Sequence, residues 1–455
     1  MDLQNLDAAV IYIICENFCL HCHEGHGDGE DFPSVSAARD ADAKTLRYTL
    51  VSLSTVCRSW GYIAQKTLHH HFGFYELSPE AMIPFCRTLY EKPELAKLVK
   101  QARLTHIFST NIVIKEDWLF KCLDKISNIL GFHGRTFGPK TFKWEQFIGA
   151  ALLLRLPNRE FLMAEASDLH ELLNKFRKPL SLLGSKFPQL LKSVEVGNRH
   201  PKAPTIRNPL DLSRNTIGGF MSQLPNLQCM ELRNPSFSTL QDPLRLGNMR
   251  HVCLLGVDLG WEGLKVFISA TGPLESFQYQ GSQHGPDPCS IQDVCHALAI
   301  RKNTLKWLRV LAPFQPHEFT AGRRLTNVTY MRMMLESIFY PMHEESIADD
   351  QLIQSFVPPS LETIQLDVGD HTLGRMLDAI ISYIQSSYRK DPKDQILKSV
   401  EIHVMMYSDR ETMEHSPKSI HNSAWRLIKR KCRRFLENGN INLQATWYGT
   451  RREAR

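Results

Sequence analysis

Six metal-binding side chains crowd into the twelve-residue stretch CENFCLHCHEGH: Cys15, Cys19, His21, Cys22, His23 and His26. Thiolate sulfur and imidazole nitrogen are the usual donors for Zn2+, and a Cys-x2-Cys pair such as Cys19/Cys22 is a common start for a zinc site. A structural site also needs donors at a distance. His69, His70 and His71 would supply them only if the chain folded back. Cys15 and Cys19 lie, moreover, on an amphipathic helical pattern. Packed thiols beside a His-rich loop are therefore the expectation, with no metal and no cofactor. The histidine triplet is expected to end a helix in solvent, where positive charge suits the C-terminal dipole.

Other chemistry is sparse. No Walker A loop, no strand-linked Rossmann glycine pattern, no GxSxG and no HExxH occurs. His343-Glu344-Glu345 falls in a polar stretch without a partner at defined spacing. A non-enzymatic chain is expected. The densest basic run, WRLIKRKCRRF (425–435), fits an import signal or a phosphate-contacting helix. Trp425, Ile428, Cys432 and Phe435 recur three and four apart, so the favoured reading is an amphipathic helix capping the end of the fold.

The chain has 455 residues, 43% hydrophobic and 22% charged, which suits folded globular domains rather than disorder. A net charge of +6 over that length is too weak to imply nucleic-acid binding. The eleven cysteines are an odd, scattered set, the start MDLQNLDAAVIYII lacks a basic n-region, and no apolar run reaches a membrane-spanning length. Reduced thiols in a cytoplasmic or nuclear protein without membrane contact are expected.

The elements that hold these residues begin with a helix over 6–18, its apolar stripe Leu6, Val10, Ile13, Ile14 and Phe18, with Asn5 or Asp7 as cap. The polar, Gly-containing stretch 21–44 reads as a loop. In LVSLSTVCRSWGYIAQKTL (50–68), Leu50, Leu53, Cys57, Trp60, Ala64 and Leu68 share one stripe. Ser59 and Gly61 suggest two short helices with a corner near Arg58–Gly61. Three such helices are too little chain to bury this apolar surface alone, so a partner is expected.

This N-terminal segment resembles the F-box, whose first helix reads LPxEILxxIxxxL and whose second part reads LxxLxxVCRxW. Leu50, Leu53, Val56, Cys57, Arg58 and Trp60 match the second part; the first departs at Asp7, where the family has Pro, and at Ala9, where it has Glu. The resemblance implies that Leu6, Val10, Ile14, Leu50, Leu53, Val56, Cys57 and Trp60 form the small core or contact the Skp-type adaptor of a cullin–RING ubiquitin ligase.

Behind it a short pattern recurs: apolar, two mixed residues, apolar, polar, apolar. Clear copies begin at Leu191, Leu227, Met249, Leu274, Leu305, Leu325, Leu361 and Leu397, with weaker ones at Val99 and Arg159. Spacings of 36, 22, 25, 31, 20, 36 and 36 residues suit repeats of irregular length. The alternating end of each copy predicts a strand with two apolar side chains on one face and a polar one facing out. Stretches such as 143–156 and 371–388 read as helices between strands. The pattern resembles degenerate leucine-rich repeats of the kind that follow F-boxes in fungal proteins. The asparagine expected after the last apolar strand position is absent.

The expected fold is α/β: a three-helix F-box-like unit (1–72), an irregular leucine-rich-repeat solenoid with short parallel strands inside and helices outside (73–410), then a capping helix and basic tail (411–455). The resemblance implies a substrate-receptor subunit that binds the adaptor through its helices and a target protein through its repeats. Two other classes stay open: a repeat scaffold without a ligase, and a nuclear nucleic-acid-associated protein led by 426–434, against which the weak charge counts.

Overall fold

The computed structural model describes residues 6–19, 21–22, 38–73, 85, 87–89, 91–104, 156–164, 190–197, 217–233, 244–257, 260–281, 289–312, 321–334, 353, 356–369, 377–383, 397–406 and 442–449. The chain divides into two compact units, Met1–Met249 and Arg250–Arg455.

The first unit opens with three helices, α1 (Ala8–Asn17), α2 (Ala38–Leu53) and α3 (Arg58–Leu68). Asp7 caps α1, its Oδ1 accepting from the Ala9 N–H at 2.7 Å. The residue that departs from the F-box pattern therefore has a local task. Two corrections apply to this region. α2 starts at Ala38, inside the stretch expected to be a loop. The corner falls at residues 54–57, not at Arg58–Gly61. The Ser54 and Thr55 hydroxyls donate back to the Val51 and Ser52 carbonyls at 2.6 and 2.7 Å, competing with the helix ladder and ending α2. Cys57 is then extended (φ −162°, ψ 177°) and α3 begins.

Gly61 has a different reason from the propensity break expected of it. A Cβ there would lie 2.8 Å from the Ser54 carbonyl oxygen. Alanine adds about 1 kcal/mol of helix propensity, but it would have to displace backbone at the α2–α3 corner. Gly61→Ala is expected to destabilise the helical unit by about 1–3 kcal/mol net of that gain, seen as faster amide exchange across α2 and α3. Unchanged exchange would show that the corner yields freely.

Five parallel strands follow in this unit, β1 (His71–Gly73), β2 (Gln101–Leu104), β3 (Phe161–Ala164), β4 (Ser193–Val196) and β5 (Cys229–Arg233), each paired with its neighbour in sequence. The described helices between these strands include α4 (Pro93–Ala96) and α5 (Ile217–Ser222).

The second unit holds seven parallel strands, again paired in chain order: β6 (His251–Val257), β7 (Ser276–Gly281), β8 (Trp307–Leu311), β9 (Tyr330–Met334), β10 (Thr363–Gly369), β11 (Ser399–Met406) and β12 (Asn442–Gly449). Its helices include α6 (Trp261–Ala270) and α7 (Ile291–Leu298). α7 starts with a capping box: Ser290 Oγ accepts from the Asp293 N–H, and the Asp293 carboxylate accepts from the Ser290 N–H at 2.9 Å. Residues 377–383 are helical, within the predicted 371–388 stretch.

Nearly all the repeat copies are strands, and their apolar positions are buried: Leu191, Val194 and Val196; Leu227, Met230 and Leu232; Leu305, Leu308 and Val310. The copy expected at Leu325 is misplaced by three residues. Met331 pairs with Leu308 and Met333 with Val310, so the repeat starts at Val328, and Leu325 follows a short 3-10 turn at Gly322–Arg324. β1 begins at His71, which was expected in a helix end, and β12 lies where only a helix and tail were expected.

A polar residue three positions before the strand stitches several repeats together. Asn158 donates to the Lys97 carbonyl at 2.8 Å, Asn327 to that of Asn303 at 2.7 Å, Thr304 to that of Leu274 at 2.8 Å and Ser360 to that of Val328 at 2.9 Å. The asparagine missing after the strand thus has a counterpart before it.

Candidate functional site

In the helical unit α1 and α2 both pack on α3. The core is Ile11, Cys15, Cys19, Leu50, Trp60 and Ala64. Of the residues singled out in sequence, Leu50 and Trp60 are in that core, and Leu6, Ile14, Leu53 and Cys57 are half-buried against it. Val10 and Val56 are exposed, at 42% and 43%. The predicted α1 stripe is therefore corrected: Ile11 and Cys15 turn inward, while Val10 and Ile13 (59% exposed) turn out. α1 is apolar on most sides, so periodicity alone could not choose its buried face. Tyr12, Tyr48, Val51 and Tyr62 are also exposed. Apolar groups on all three helices face outward.

Beside this core four metal-ligand side chains converge. Cys19, His21 and Cys22 come from the chain leaving α1, and His70 from the end of α3; their ligand atoms all lie within 4.8 Å of one another. Cys22 Sγ is 3.5 Å from His70 Nδ1 and 3.7 Å from His21 Nδ1. The two imidazoles meet edge-on, centroids 6.0 Å apart. Cys19 Sγ lies 3.8 Å from the Thr67 carbonyl oxygen, and Cys22 Sγ lies 3.8 Å from Glu16 Oε1. The histidine triplet is thus not a solvated helix end: His69 caps α3, His70 is buried, and His71 starts β1. The folding back that a second donor would require does occur. His23 and His26 lie outside the described residues.

Electrostatically the sulfurs behave as a pair. The hydrogen bond from Cys22 lowers the Cys19 thiol against the cost of burial, with His70 assisting. Cys22, the donor, moves upward in return. Burial lowers His21 and favours its neutral form. The other buried thiols differ: desolvation raises Cys229 and Cys295 to about 12 and Cys289 to about 11. None of the eight described cysteines is in a disulfide.

The strand faces expected to point outward carry polar rows, but many of these residues are buried, which corrects the simple in/out alternation. They cover one another. In the first unit Arg233 lies against Glu195 at 3.5 Å and reaches Glu231 at 2.5 Å, and Gly197 leaves the space that its stem occupies. In the second unit Trp307 and Tyr330 stack with centroids 5.4 Å apart. Arg332 grips Asp367 through two bonds of 2.9 and 3.0 Å. Tyr330 donates to Gln365, which contacts His403 on β11. Burial and the neighbouring Arg332 lower the Arg309 guanidinium.

The basic run 426–434, the rest of the proposed capping helix, and His343-Glu344-Glu345 lie outside the described residues. Among the described residues no helix is long and apolar enough to cross a membrane. No protein-family model matches the chain, and no curated protein matches it.

Proposed function

We propose that the chain is a non-catalytic substrate-receptor subunit of a Skp–cullin–F-box ubiquitin ligase. The observation that carries the reading is the helical unit, whose core is completed by Leu50 and Trp60 of the F-box-like string while Val10, Tyr12, Ile13, Val51 and Val56 face outward. A Skp-type adaptor would cover these groups, and the parallel repeats behind them would hold a target protein. The contribution to ubiquitin transfer is proximity, which raises the effective concentration of target lysines near the charged enzyme.

The test is binding of the full chain to purified Skp-type adaptor, beside a Val10→Asp/Ile13→Asp variant. Both positions are exposed, so the helices are expected to stay folded by circular dichroism. Each aliphatic side chain contributes about 1.5–3 kcal/mol when buried, and 1.4 kcal/mol is tenfold in affinity, so at least about a 100-fold loss is expected. A well-folded parent that does not bind the adaptor would overturn the reading in favour of a repeat scaffold outside any ligase.

A further inference from the structure

We propose that Cys19, His21, Cys22 and His70 form a structural zinc site that fastens the end of α1 to the residue preceding β1. The residue types are a Cys2His2 donor set, the set that selects Zn2+ in a tetrahedral site. With Zn–S near 2.3 Å and Zn–N near 2.0–2.1 Å, the edges of such a tetrahedron span about 3.3–3.8 Å. Two of the required separations, 3.5 and 3.7 Å, are already in that range. All four ligand atoms sit within 4.8 Å of one another, at most about 1 Å wider than the edges of that tetrahedron.

The local fold explains why these four meet. α1 ends at Asn17, and the Phe18 and Cys19 N–H groups bond back to the Cys15 and Glu16 carbonyls, turning the chain so that three donors follow within four residues. At α3 the His70 N–H bonds to the Thr67 carbonyl, which places His70 in the last turn before β1. Cys19 and His70 are buried; His21 and Cys22 are half-buried and leave a path for the ion. Four protein donors leave no open position for substrate, which marks the site as structural rather than catalytic.

The competing use of the two sulfurs is a Cys19–Cys22 disulfide. It would leave both imidazoles without a task, and it would not join α1 to α3. Zinc does both. The proposal holds whether or not the adaptor reading does, because its readout is metal.

The experiment is zinc content by elemental analysis on the full chain purified under reducing conditions, followed by replacement with Co2+. One zinc per chain is expected in the parent and in Cys57→Ser, and close to none in Cys19→Ser/Cys22→Ser and in His70→Ala. The cobalt form should show tetrahedral visible bands with thiolate charge transfer equivalent to two sulfurs. Should the variants not fold, the cobalt spectrum of the parent decides alone. A parent that neither retains zinc nor gives that spectrum would overturn the proposal. So would zinc that survives loss of both cysteines, charge transfer from more than two sulfurs, or a Cys19–Cys22 disulfide in the purified chain.

Discussion

Trp60→Ala is expected to melt the helical unit. The indole is 2% exposed and sits among Ile11, Cys15, Cys19, Leu50 and Ala64, the hydrophobic core described for the three helices. Removing a large aromatic from such a core costs about 3–5 kcal/mol. Whole small domains are stable by only about 5–15 kcal/mol, so most of the margin of so small a unit would go. Amide exchange across α1, α2 and α3 should rise together, while the strands of the second unit keep their protection. The variant should also lose adaptor binding, but through unfolding, unlike Val10→Asp/Ile13→Asp, in which exchange is unchanged. Protection of α1–α3 equal to the parent's would show that another part of the chain supports these helices.

The other large effect is expected at Asp367. This carboxylate is 5% exposed and receives both bonds of the Arg332 fork. Arg332 stands opposite Arg309 in the β8–β9 pair, and His403 stands opposite Asp367 in the β10–β11 pair. Asp367→Ala would leave two guanidinium groups side by side with their anion gone. Removing one partner of a buried pair costs about 3–5 kcal/mol; Arg332 retains some contact with water, which places the loss toward the lower end. Arg332→Met/Asp367→Leu should recover at least half of it, since apolar replacements of similar volume remove the desolvation cost together with the pair. The urea midpoints of the two variants check this. Equal midpoints would assign the loss to packing rather than to stranded charge.

The strands were legible because their apolar spacing is a direct record of which side chains face the core: Val194 and Val196, or Leu308 and Val310, alternate as a short strand requires. Where two apolar residues compete for one slot, as Leu325 and Val328 do, the spacing is ambiguous and only pairing with β8 resolves it. β12 escaped because NLQATWYG lacks the aliphatic rhythm of the other copies. At the N-terminus the identity of the core was partly legible in Leu50 and Trp60, but the facing of α1 was not, because a helix apolar on most sides offers several equivalent stripes. The cysteine–histidine cluster was half legible. Cys19 and Cys22 announce themselves by spacing, whereas His70 is 48 residues away and is brought in only by how α3 folds onto α1.

In both units every described strand pairing joins strands that are neighbours in sequence. Contact order is therefore low for a parallel sheet. Most strands close a loop about one repeat long, the Gln101–Phe161 pairing of β2 and β3 being longer, and each doubling of loop length adds only about 0.6 kcal/mol of closure entropy. Folding can start at any adjoining pair and grow outward one strand at a time, without waiting for a distant stretch of chain. The same one-dimensional wiring makes the outermost described strands, β1 in the first unit and β12 in the second, the weakest places, because each has a described neighbour on one side only. Unfolding within a unit would begin by fraying at those ends and move inward.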